Sequence, residues 1–275
     1  MYRLPESSAS CSPESSPRML KRKRSGSLPL TPPLSLNDPD GARVLDRAVN
    51  VLSTAATALS QVTILYQSDH VAREGLLQAV ERITQVNSAG GKLILCGVGK
   101  SGLVAKKLVA TMKSLGIGSS FLHPAEALHG DLGDVRSNDA VLFISYSGKT
   151  PELLHLLHHI PESTPILAIT AHTDASKCPL LSGRPDAVLL PAPIHELEEV
   201  SFGVCAPTTS TTVAIAVGDM LALIVAEAMH EDETKHVFRR NHPGGAIGDK
   251  ARRKEHVVVE ERICIKKCKG LVSPA

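Results

Sequence analysis

The residues best placed to do chemistry in this sequence fall in three clusters rich in glycine or hydroxyls. The first is Gly97-Val98-Gly99-Lys100-Ser101-Gly102, between an apolar run at 93–96 and a helical pattern that carries Lys106 and Lys107. Its glycines permit a tight turn with exposed backbone amides. A helix starting there points its unpaired N–H groups and positive dipole end at the turn. Such an arrangement binds an anion, most often a phosphate. The second cluster is Ser145-Tyr146-Ser147-Gly148-Lys149-Thr150, between an apolar run and a helix that opens at Pro151. The hydroxyls of Ser145, Ser147 and Thr150 suit the same kind of ligand. The third, Thr208 to Thr212 with Thr209 and Ser210 between, opens a long apolar helix. Each cluster alone reads as ordinary helix capping. Three in one domain are hard to explain by capping alone.

Which phosphate is bound follows from spacing. A P-loop needs a glycine five residues before Gly99, and that position is Ile94. Gly97-x-Gly99-x-x-Gly102 does match a dinucleotide fingerprint, which also wants an acid at the end of the second strand. That strand ends in His123-Pro124, with Glu126 the nearest acid. The dinucleotide reading is the weaker one. Two anion loops facing one crevice fit a phosphate carried on a small polar body.

The elements that must position these loops are legible in the hydropathy pattern. Apolar runs at 93–96, 120–123, 140–145, 166–170 and 187–190 read as strands. Helical segments at 103–115, 151–159 and 175–181 separate most of them. Continuous apolar strands alternating with helices predict an α/β fold with a parallel sheet covered on both faces. Two amphipathic helices precede the first strand, broken near Ser68 and Asp69, and long and short helices at 211–229 and 232–239 follow the last. The long helix is nearly long enough to span a bilayer, but Asp219 at its centre makes a buried core helix the better reading.

The 275 residues are 43% hydrophobic and only 3% aromatic, with no Trp, so the core must be aliphatic. Scarce aromatics argue against stacking platforms for single-stranded nucleic acid. A net charge of +2 does not imply a polyanionic partner. The 6 cysteines form no CxxC pair and complete no zinc site, which fits reduced thiols in a cytoplasmic protein. Residues 1–36 are Ser- and Pro-rich, carry the basic run 21–24, and read as a disordered tail with no secretory h-region. Residues 37–253 read as one domain and 254–275 as a short basic tail.

The motifs GVGKSG, HPAEALHGDLG (123–133), ISYSGKTPEL (144–153), APTTSTT (206–212) and HPGGAIG (242–248) together resemble the sugar isomerase, or SIS, domain family. They are most similar to its arabinose 5-phosphate isomerase branch, over roughly residues 40–250. The resemblance implies a five-stranded parallel sheet sandwiched by helices, a phosphosugar ligand, and a homotetramer with composite active sites. It implies no cofactor, no catalytic metal, and no nucleic-acid or membrane partner. Many bacterial members carry a pair of CBS modules beyond this domain; this sequence ends instead, so regulation through such modules is not expected. The family reaction interconverts D-arabinose 5-phosphate and D-ribulose 5-phosphate through an enediol, which needs a base, an oxyanion stabiliser and help with ring opening.

Carried over by motif, the catalytic candidates are Lys100, Glu152, Glu199 and His242. Lys100 would stabilise the oxyanion or phosphate. Glu152 and Glu199 would serve proton transfer or hydroxyl positioning. His242 would act in ring opening or proton transfer, reaching in from a neighbouring subunit. Gly99, Ser101, Ser145, Ser147, Thr150, Thr208, Thr209 and Ser210 are the substrate- and phosphate-binding candidates. His123 and His129 flank a metal-like arrangement with Glu126 and Asp131, for which a structural role is favoured. A phosphosugar-binding regulator without turnover is the alternative function.

Overall fold

The computed structural model describes residues 38–184 and 186–244. The expected N-terminal and C-terminal tails, and the part of the HPGGAIG motif from residue 245 onward, lie outside the described residues. Two units are distinguished, Met1–Leu45 and Asp46–Ala275. Of the first, residues 38–45 are described. They contain the opening turns of helix α1 (Pro39–Ser68), where Asp38 Oδ1 accepts the Gly41 N–H at 2.6 Å.

In the second unit α2 (His70–Ser88) begins at Asp69, whose carboxylate accepts the Ala72 N–H at 2.9 Å. That N-cap explains the break between the first two helices. Then follow β1 (Leu93–Cys96), α3 (Lys100–Ser114), β2 (Ser119–Leu122), α4 (Pro124–Ala127), β3 (Ala140–Ile144), α5 (Pro151–Leu157), β4 (Ile166–Thr170) and β5 (Val188–Pro191). The chain continues through α6 (Glu198–Phe202), α7 (Thr209–His230) and α8 (Thr234–Arg240). All strand pairs are parallel, in the order β2-β1-β3-β4-β5. The five-stranded α/β sheet expected from the sequence is therefore the fold observed.

Two helical expectations shift for local reasons. The helix expected over 175–181 is two short 3-10 turns, Ala175–Lys177 and Pro179–Leu181. Pro179 has no N–H to continue the first turn. Helix α3 starts at Lys100 rather than 103, so Lys100 and Ser101 belong to its first turn.

Side-chain alternation divides the sheet into two faces. Leu93, Leu95, Leu142, Leu167 and Leu190 pack into one core with α2, α3 and α7. Ile94, Cys96, Phe143, Ala168 and Leu189 pack into the other with α5 and the 3-10 turns. Both faces are covered, which is why every strand but the edge strand β2 is buried along its whole length. Helix α7 buries Val213, Val217, Leu221 and Val225, and its Asp219 pairs with Lys107 on α3. By length and composition alone, α1 and residues 209–240 would each suffice to cross a membrane. In α1, Val49, Val51, Leu52 and Ile64 are exposed.

The amino ends of β1 and β3 are tied by one buried carboxylate. Asp139 accepts the Lys92 N–H at 2.8 Å, the Lys92 ammonium at 2.7 Å and the Arg136 N–H at 3.0 Å. Burial pushes its carboxyl upward, but these hydrogen bonds and the Lys92 charge outweigh it and hold the group below the usual carboxylate range.

Candidate active site

A cavity of about 430 Å³ opens beyond the carboxyl ends of β1, β3, β4 and β5. In this strand order the chain reverses direction across the sheet between β1 and β3, and open parallel sheets bind ligands in the crevice at that point. Lys100 and Ser101 enter the cavity from the turn after β1, Tyr146 from the end of β3 and Thr170 from the end of β4. Glu198, Glu199, Cys205, Ser210 and Thr211 close it from α6, α7 and the loop between them.

The turn after β1 depends on glycine. Gly99 has φ 57° and ψ −123°, a conformation that a side chain would strain. A Cβ on Gly102 would stand 2.7 Å from the Gly97 carbonyl oxygen, so α3 starts in direct backbone contact with the strand end. Gly102 and Leu103 donate back to Val98 and Gly99 at 3.3 and 3.1 Å, so the amides of Lys100 and Ser101 are among the donors the helix start leaves over. Cys96, just before the turn, is buried, and burial pushes its thiol up to about 12. It is a core side chain, not a nucleophile.

The loop 145–150 is held from below by the end of β4. The Tyr146 carbonyl accepts the Ala171 N–H at 2.9 Å and the Thr170 hydroxyl at 3.1 Å. His172 Nε2 lies 2.9 Å from the Ser147 carbonyl oxygen. Within the loop, the Ser145 and Thr150 hydroxyls pair at 2.8 Å, and the Gly148 N–H donates to Ser145 Oγ at 3.2 Å. Ser147 Oγ accepts the Lys149 N–H at 3.2 Å.

Of the residues expected in the site, Lys100, Ser101, Glu199 and Ser210 line the cavity. Lys100 takes part in no ion pair among the described residues. The Glu199 carboxylate beside Cys205 pushes the thiol pKa up. Gly99, Ser145, Ser147, Thr150, Thr208 and Thr209 stand in the surrounding loops and helix starts without lining the cavity. Glu152 is exposed in the first turn of α5 and does not line it either. His242 follows α8, with Nδ1 2.7 Å from the Phe238 carbonyl oxygen and its ring 4.1 Å from the Phe238 ring, also outside the cavity.

Other lining residues able to do chemistry, among them Tyr146, Glu198 and Cys205, are not among the candidates drawn from the sequence. Tyr146 lies between Ser145 and Ser147 in the hydroxyl-rich loop. Glu198, beside Glu199 in the sequence, accepts the Thr208 N–H at 2.6 Å and the Ser210 N–H at 2.9 Å. It is the residue that caps α7. His123 caps α4 by accepting the Ala125 N–H at 3.3 Å on Nδ1. Among the described residues, no group of three or more His, Cys, Asp or Glu is arranged to hold a metal.

Residues 86–224 match the SIS domain family. The chain belongs to that family. This SIS chain is 40% identical over 204 residues to an uncharacterised protein of Helicobacter pylori strain J99, covering 74% of this chain and 58% of that one. It is 36% identical over 200 residues to the arabinose 5-phosphate isomerase KpsF of Escherichia coli, covering 72% and 58%. It thus spans 58% of the length of these two relatives. Among solved structures it resembles an Escherichia coli CFT073 protein in complex with A5P, with TM-score 0.61 and 28% identity over 74% of this chain and 98% of that one.

Proposed function

We propose that this SIS protein is an aldose–ketose isomerase acting on a sugar phosphate, with D-arabinose 5-phosphate to D-ribulose 5-phosphate as the reaction. The observation that carries this reading is the placing of Lys100, unpaired among the described residues, with Glu199 in one cavity beyond the strand ends. The likeness to KpsF and to the A5P complex supports the choice of substrate. A carboxylate, Glu199 or Glu152, removes the proton from C2 while the C1 oxygen gains one, giving the enediol. The proton is then returned at C1 as the C2 hydroxyl becomes the carbonyl. Lys100 stabilises the developing oxyanion or the phosphate.

The phosphate sits against Ser101 and the loop 145–150, with Gly99 shaping the turn, and Thr208 and Thr209 open the helix that carries Ser210 into the opposite wall. His242 serves ring opening from a neighbouring subunit of a homotetramer. The exposed Val49, Val51, Leu52 and Ile64 of α1 support such an assembly. Light scattering that returns a monomer would remove it. The reaction needs no cofactor, and the protein works in the cytoplasm.

The test is turnover of D-arabinose 5-phosphate by the purified chain, read as D-ribulose 5-phosphate. No turnover on any pentose or hexose phosphate would sink the isomerase. Binding without turnover would favour a phosphosugar-binding regulator instead, a reading that draws on Glu152 and His242 standing outside the cavity.

A further inference from the structure

The first turn of α7 has no acidic residue of its own, and its N-cap Thr208 makes no side-chain cap bond. Its donors converge on a carboxylate from another element. Glu198 Oε1 takes the Thr208 N–H at 2.6 Å, the Ser210 N–H at 2.9 Å and the Ser210 hydroxyl at 2.8 Å. Hydrogen bonds to a carboxylate are of the stronger, charge-assisted kind. The side chain is thereby fixed in the cavity wall rather than left to swing into solvent.

Neighbouring groups register its charge. The Tyr146 phenol is pushed up first by burial and then by the Glu198 carboxylate. The Cys205 thiol is pushed up chiefly by the Glu199 carboxylate beside it, with the Glu198 charge adding to the effect. Lys100 is the cation of the lining, against the carboxylates of Glu198 and Glu199. None of these forms an ion pair with another among the described residues. The cavity therefore offers an anionic ligand one attractive position and one fixed repulsive one.

We propose that Glu198 is a specificity-determining residue that restricts the cavity to sugars bearing one phosphate and turns away sugar bisphosphates. The proposal rests on the phosphosugar reading of the same cavity. A second phosphate near Glu198 would meet a like charge between low-dielectric walls, where repulsion is much stronger than in water. Of the α7 donors, the Thr208 and Ser210 N–H groups and the Ser210 hydroxyl already point at Glu198 itself. A sugar hydroxyl meets no such penalty, because it can donate to the lone pairs that Glu198 keeps free. Specificity of this kind works by repelling the wrong ligand.

The experiment is calorimetric titration of D-ribulose 5-phosphate and D-ribulose 1,5-bisphosphate into the full chain and into Glu198→Gln. The unsubstituted chain is expected to prefer the monophosphate by about tenfold or more. Glu198→Gln keeps an amide oxygen for the α7 donors and loses the charge, so the preference is expected to fall below about threefold. An unsubstituted chain that binds the bisphosphate as tightly as the monophosphate overturns the proposal, whatever the variant does. An unchanged preference in folded Glu198→Gln overturns it equally. An unsubstituted chain that binds neither ligand removes the phosphosugar reading, and the proposal falls with it.

Discussion

At the amino ends of β1 and β3, Lys92 and Asp139 satisfy each other, and every donor around the buried carboxylate has its partner. At the carboxyl ends of the same strands, Lys100 lines a cavity without an ion pair among the described residues, and two carboxylates share the lining with it. One sheet thus carries a closed polar network at one end and an open one at the other. A buried polar group whose bonds are all made rigidifies the fold. A cation left without a partner has its charge available for a ligand. Substitutions at the two ends should separate folding from chemistry.

The largest effect is expected from Lys100→Met. On the role proposed for Lys100, loss of an electrostatic stabiliser of the transition state is expected to lower kcat on the order of 10²–10³-fold. The melting temperature should stay put, because the side chain is exposed and makes no ion pair among the described residues. A variant that loses stability along with activity would break the division between the two ends.

Asp139→Asn should do the reverse. It removes the charge beneath Lys92, which keeps its second pairing with Asp134 Oδ1 at 3.4 Å, so the cost is that of weakened charge-assisted hydrogen bonds, about 2 kcal/mol, or about 4–8 °C in melting temperature for a domain of this size. The kcat of the folded fraction should be unchanged. The pH dependence follows from the sign of the shift. Asp139 is held below its ordinary value in the folded state, whereas the unfolded carboxyl titrates at about 3.9. Its stabilisation is therefore present above about pH 4 and is lost as pH falls through the lower folded value, where the unfolded chain binds more protons. Melting curves of Asp139→Asn should be flatter through that acid range. An unaltered acid limb would show that other carboxylates govern it.

The smallest expected effect tests the support beneath the open end. His172→Ala removes the hydrogen bond to the Ser147 carbonyl, worth about 1 kcal/mol. KM for the sugar phosphate should rise about fivefold with kcat little changed. A fall in kcat with KM fixed would mean that His172 acts on the chemistry rather than on the loop.

Apart from the edge strand β2, the strands were legible because each is a short apolar run between turn residues, and burial on both faces leaves no polar alternation to confuse the pattern. The turn at 97–102 was legible for a related reason, since glycines at close spacing answer to few other needs. What escaped notice depends on contacts made across the fold. Glu198 caps a helix that starts eleven residues later in the chain, around a loop, where capping signals are sought within three or four residues. His172 supports a loop 25 residues upstream, and nothing in local spacing marks it. Glu199 and Glu198 are neighbours in an acidic run, and only the packing of α6 gives the two different tasks.

The chain has no tryptophan and only 3 tyrosines. One of them, Tyr146, stands in the wall of the cavity, and its phenol senses the charge of Glu198. The protein thus carries its own optical reporter. Near-ultraviolet emission from this chain is tyrosine emission undimmed by transfer to indole, so a ligand that reaches Tyr146 is expected to be readable without a dye or a label.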